Sequence, residues 1–145
     1  MFSPFEYKRP QNIEEVFDLL IDNSDAKIVA GGTDLLVKLR EAEQSPEMLI
    51  DIKEISKLKG IEKNNTQIKI GALTSITEIK ESSLIKGNLY SLYQAAAEFG
   101  CYEIRNRATI GGNIVHASPG AEFGTPLFAL NADVEGGRKA DGLDT

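Results

Sequence analysis

The sequence predicts a mixed α/β (α+β) fold built as two small lobes. Three observations carry that expectation. Two short apolar runs, Lys27-Ile28-Val29-Ala30 and Met48-Leu49-Ile50-Asp51-Ile52, are separated by a stretch of helical periodicity. The pair Gly31-Gly32 stops the first run abruptly, as a strand-to-helix turn requires. Further on, two short runs flank Asn64-Asn65, residues that tolerate positive φ and suit a hairpin. With 145 residues and 41% hydrophobic content, the chain can bury one ordinary core or two small ones.

In chain order, Asn12 is placed to cap a helix over residues 13–22. Glu15 stands three residues on, and Ile13, Val16, Phe17 and Leu20 recur at helical spacing. The first strand follows at residues 27–30. Thr33 is expected to cap a short helix ending at Arg40, with Leu35, Leu36 and Leu39 inward. The second strand, after this helix, is expected to pair with the first in parallel, as in a βαβ unit. A lobe of residues 1–57 results. In the second lobe, residues 58–145, the hairpin comes first. Ser75 and Glu78 form a capping-box pattern, and Leu89, Leu92, Tyr93, Ala96 and Ala97 mark a longer helix closed by Gly100. Residues 101–120 read as irregular. One more helix is expected around Pro126, Leu127 and Leu130, and one more strand over residues 132–135, before a glycine-rich polar tail.

Composition excludes several functions. A net charge of -6 argues against nucleic-acid binding, which requires clustered Lys and Arg. The acidity leaves room for a small phosphate ligand, because main-chain N–H groups can cradle a pyrophosphate without side-chain charge. One cysteine, Cys101, provides neither a disulfide framework nor a cysteine-ligated metal or cluster, so no metal ligands are assigned. Cys101 reads as a reduced structural thiol and the single His116 as a structural or surface residue. There is no run of about 20 apolar residues and no signal-peptide layout in residues 1–10, so no membrane span and a cytoplasmic location are expected.

Two glycine pairs are candidates for chemistry. Ala30-Gly31-Gly32-Thr33-Asp34-Leu35 combines a tight turn with main-chain donors, although its spacing is neither the dinucleotide fingerprint nor a Walker A loop. Thr109-Ile110-Gly111-Gly112-Asn113 sets glycines beside hydroxyl and amide groups able to bond a phosphate or sugar. Taken locally, each also reads as a plain turn.

Longer motifs connect them. Pro4-Phe5-Glu6-Tyr7 with Arg9-Pro10, then residues 30–36, then Ile70-Gly71-Ala72-Leu73-Thr74, then residues 104–114 (IRNRATIGGNI) resemble, in that order, the FAD-binding subunits of molybdenum hydroxylases of the xanthine dehydrogenase class. The resemblance implies two α/β lobes with FAD extended between them. By this likeness Ile28, Val29, Ala30, Gly31, Gly32, Thr33, Asp34 and Leu35 would wrap the pyrophosphate and adjoining ribose, mainly through the main chain. Thr109, Gly111, Gly112 and Asn113 would form an opposing loop facing the same cleft, and Phe99 would lie beside the cofactor. Phe99 equally suits a helix-end core position. The family usually has Asp after Ser-Pro and two small residues; here Ser118-Pro119-Gly120-Ala121 leads to Glu122, a carboxylate one methylene longer.

The implied role is electron transfer from iron–sulfur clusters through FAD to NAD+ or another acceptor, beside an iron–sulfur subunit and a molybdopterin subunit. No catalytic acid, base or nucleophile is assigned, because the flavin does the chemistry. Complete family members continue for about as long again and add a C-terminal lobe. The expectations for this chain are therefore weak FAD retention and self-association to a homodimer through an incomplete sheet. The alternative is a non-catalytic flavin- or nucleotide-binding module or assembly remnant of the family. A covalent flavoprotein is disfavoured, since no His or Cys stands near the first glycine loop.

Overall fold

The computed structural model describes residues 3–116, 122–138 and 142–144. They form two compact units, one from the described residues up to 56 and from 133 onward, the other from the described residues between 57 and 132.

In the first unit, β1 (Glu6–Lys8), β2 (Lys27–Val29) and β3 (Met48–Asp51) form an all-parallel sheet in the order β1-β3-β2. β3 is central because all four of its residues are buried, and a parallel strand between two neighbours needs apolar cover on both faces. β1 had no strand signature in the sequence: three residues, Glu6-Tyr7-Lys8, are too few for a period and hold their conformation by pairing with β3. α1 (Ile13–Asp22) has the bounds that the periodicity implies. Asn12 Oδ1 accepts the Glu15 N–H at 2.9 Å, and the Glu15 carboxylate reaches back to accept from Asn12 Nδ2 at 3.0 Å and from the Gln11 N–H at 2.9 Å.

The next helix, α2 (Leu35–Arg40), corrects the expectation for Thr33. Asp34 is the flanking residue, with no side-chain capping bond. Gly32 is already left-handed at φ +76°, and its carbonyl accepts the Leu36 N–H at 3.1 Å, so the helix begins two residues after Thr33. Val29, Leu39 and Leu49 form the core, with Phe5, Leu35 and Leu36 packed against it.

At the end of β3, Asp51 is 1% exposed. Its carboxylate accepts the Tyr7 hydroxyl and the Lys53 N–H, and it pairs with Lys53 Nζ at 2.9 Å and Arg9 Nε at 3.8 Å. Burial pushes the carboxyl upward, but the bonds from Tyr7 and Lys53 outweigh it, and the net shift is below the ordinary aspartate value. The same bond to Asp51, followed by burial, raises the Tyr7 phenol. A carboxyl with a depressed folded-state pKa stabilises above its unfolded value, about pH 4, and loses that contribution as pH falls through the folded value. Asp51→Asn is expected to cost about 2 kcal/mol near neutrality. In urea titrations the gap to the unsubstituted protein should shrink below about pH 4; a gap constant with pH would contradict the assignment.

The second unit begins with β4 (Ile61–Lys63) and β5 (Ile68–Ile70), antiparallel across the Asn64-Asn65 turn. Asn64 Oδ1 accepts the Thr66 and Gln67 N–H groups there. α3 (Ile76–Glu81) opens on the Ser75–Glu78 capping box, with both reciprocal bonds formed. α4 (Ser83–Asn88) and α5 (Tyr90–Glu98) follow, and Gly100, at φ +48°, reverses the chain after α5.

Of the segment expected to be irregular, the described residues 101–116 are mainly helical. α6 (Tyr102–Arg107) and α7 (Ile110–His116) are divided by extended Ala108. Six or seven residues are too few to display periodicity, and tertiary bonds do the ordering: Ile76 N–H to Ala108 O, Ile110 N–H to Thr74 O, and Gly111 N–H to Ala72 O, at 2.9–3.1 Å. α8 is Gly124–Ala129. The core joins Ile76, Ile79, Ile85, Leu92, Ala96, Ala108, Ile110 and Phe123.

Residues 132–135 are exposed and form no strand, because apolar pattern without a partner does not make one. Pairing occurs later, between β6 (Gly136–Arg138) and β7 (Gly142–Asp144), inside the tail that composition marked as polar. Among the described residues, no helix is long and apolar enough to cross a membrane.

Candidate cofactor-binding site

The first glycine segment leaves the carboxyl end of β2, the end of a parallel sheet where open α/β proteins place ligands. Its side chains and its main chain have different tasks. Val29 is 5% exposed and Leu35 packs on the same core, while Ile28 is largely exposed. Asp34 pairs with Lys38 at 2.9 Å. The main-chain N–H groups of Gly31, Gly32 and Thr33 have no acceptor among the described residues. Three successive donors, half-buried, with no side chain on two of them, fit a phosphate group. The left-handed φ of Gly32 favours glycine, and a Cβ there would come within 3.1 Å of Leu36 Cδ1.

The second segment is the start of α7, not a loop. Thr109, 7% exposed, forms a bridge with Ser75, and its Oγ1 accepts the Gly112 N–H at 3.1 Å as a helix cap. Gly111 is required by packing: a Cβ would lie 2.7 Å from Ala72 O. Asn113 Oδ1 accepts the Phe123 N–H at 3.3 Å. Phe99 is half-buried against Phe123, with ring centroids 5.7 Å apart. Glu122 is exposed, and Ser118-Pro119-Gly120-Ala121 lies outside the described residues.

The structure thus brings residues 28–35 into one segment and Thr109–Asn113, Phe99 and Phe123 into one packed group. Cys101, which the sequence marked as a structural thiol, is exposed at the start of α6. Sequence reasoning missed the supports of the second group. Thr74, 1% exposed, uses Oγ1 to bond both the N–H and the carbonyl of Gly60. Arg105 Nη1 donates to the carbonyls of Ala97 and Phe99 at 3.1 and 3.3 Å. The motifs of residues 70–74 and 104–114 contain both supports, but a motif does not say which atoms its side chains bond.

A parallel sheet opening onto a glycine loop, and a helical unit with a capped glycine-containing helix start, define an α/β protein of the nucleotide-cofactor-binding type. Residues 3–143 match the family described as the FAD binding domain in molybdopterin dehydrogenase, and the chain belongs to that family. It is similar to the nicotinate dehydrogenase FAD-subunit of Eubacterium barkeri, 36% identical over 132 residues, 90% of this chain and 45% of that subunit. The xanthine dehydrogenase FAD-binding subunit of Escherichia coli O157:H7 is 34% identical over 93% of this chain and 47% of its own length. Among solved structures, a carbon monoxide dehydrogenase from Hydrogenophaga pseudoflava, lacking the Mo-pyranopterin moiety of its molybdenum cofactor, superposes with TM-score 0.81 at 38% identity. That match covers 83% of this chain and 42% of that one. The chain therefore spans about half the length of these relatives.

Proposed function

We propose that this chain is the FAD-binding portion of the flavin subunit of a molybdenum hydroxylase. The observation that carries the proposal is the run of three N–H donors at Gly31, Gly32 and Thr33 beside the left-handed Gly32, in a chain of this family. Residues 28–35 hold the pyrophosphate and adjoining ribose through the main chain. Thr109 and Asn113 supply polar groups at the start of α7; Gly112, whose N–H is held by Thr109 Oγ1, contributes a main chain with no side chain in the way, and Phe99 and Glu122 line the flavin side. Gly111, whose N–H is committed to Ala72, contributes by letting α7 approach the 71–74 segment closely.

Bound FAD supplies the two-electron chemistry; the residues bind and orient it. The partners in this reading are an iron–sulfur subunit and a molybdopterin subunit, with NAD+ or another acceptor receiving the electrons. The reading extends to a cytoplasmic location and to dimeric assembly.

Titration of the purified protein with FAD, followed by quenching of flavin fluorescence, tests the proposal. Saturable one-to-one binding is expected, at least about tenfold tighter than for FMN, which lacks the pyrophosphate and its loop contacts. Acid precipitation should release the flavin. Absence of saturable binding, or equal affinity for FMN, would overturn the reading.

A further inference from the structure

We infer that Arg105 is a positioning residue for the flavin, acting through Phe99 without touching the cofactor; this rests on the proposed FAD-binding reading. α5 ends at Glu98, and Gly100 at φ +48° turns the chain back into α6. The last carbonyls of a helix have no partner within it. Arg105, one turn into α6, reaches back over the reversal and donates from Nη1 to Ala97 O at 3.1 Å and to Phe99 O at 3.3 Å. A charged donor on the carbonyls that flank residues 98 and 99 restrains the backbone from which the Phe99 side chain departs.

The ring is held from its other side as well. Phe99 meets Phe123 at a centroid distance of 5.7 Å and an interplanar angle of 47°, and Phe123 is fully buried. The Phe123 N–H is fixed by Asn113 Oδ1 at 3.3 Å. Phe99 therefore stands between an anchored backbone and an anchored aromatic neighbour, and neither anchor requires Arg105 to face the ligand. With Nη1 committed to two carbonyls of its own chain, Arg105 sets where the Phe99 ring stands for the flavin.

A double-mutant cycle on the full chain decides this, using FAD titration and the visible absorption band of the bound flavin. Arg105→Met keeps the aliphatic stem and removes the donors. It is expected to weaken FAD binding about tenfold, as is Phe99→Leu, and the double variant is expected to be no weaker than either alone. Both single variants should perturb the flavin band in the same way, and Arg105→Lys, which keeps one charged donor, should recover most of the affinity. Unchanged affinity in folded Arg105→Met would overturn the inference. So would multiplying effects, about a hundredfold loss in the double variant, since Arg105 would then act independently of Phe99. Should Arg105→Met fail to fold, the same cycle with Arg105→Gln applies, with the same two deciding outcomes. Failure of the unsubstituted chain to bind FAD would overturn the flavin reading together with this inference; binding by that chain with an unaffected Arg105 variant would overturn this inference alone.

Discussion

Gly71→Ala is expected to destabilise the second unit by about 3 kcal/mol or more, the range of severe overpacking. A Cβ at Gly71 would lie 2.4 Å from Leu58 O, 2.6 Å from Leu58 C and 2.8 Å from Lys59 C. These are backbone atoms, so no rotamer change makes room. They are also bonded to the segment that would have to move: Gly71 N–H donates to Gly60 O at 2.8 Å and Leu73 N–H to Leu58 O at 2.7 Å. Accommodating one methyl group means losing those bonds or displacing the 58–60 backbone, and with it the Thr74 hydroxyl that bonds both polar groups of Gly60. Thermal unfolding should show a fall on the order of 10–20 °C. Gly87→Ala in α4 is the control, since nothing lies within 4 Å of its Cβ position. In the exposed last turn of that helix, alanine should stabilise by up to about 0.5 kcal/mol. Equal effects at the two positions would refute the packing argument.

Gly32→Val is expected to abolish FAD binding while leaving the protein folded. The left-handed φ of +76° disfavours any branched residue by about 1–2 kcal/mol. The contact at 3.1 Å, by contrast, is with the end of the Leu36 side chain, which can yield. The fold can absorb that cost. The proposed binding cannot, because the new side chain would occupy space beside the N–H groups of Gly31, Gly32 and Thr33 and would force the loop from its conformation. Thr33→Ala separates main chain from side chain: if the donors are main-chain N–H groups, affinity should stay within about threefold. Retained binding in Gly32→Val, with circular dichroism unchanged, would show the segment to be only a turn.

The sequence by itself determined those elements whose signals are local or periodic. α1 is amphipathic over ten residues and carries its own Asn12 cap, the Asn64-Asn65 turn bonds its own neighbours, and the Ser75–Glu78 box closes on itself. It also identified, through ordered motifs, the family that the chain belongs to and both glycine pairs. The tertiary structure alone decided the meaning of those pairs. Gly32 is a conformational glycine beside open donors, whereas Gly111 is a packing glycine against Ala72, and nothing in the letters Gly-Gly separates a positive φ from a close approach. It also decided β1, the two helices between Cys101 and His116, and the failure of residues 132–135 to form a strand. The physical reason is the same in each case. Segments of three to seven residues carry too little local free energy to choose a conformation, so their partners across the fold choose it for them.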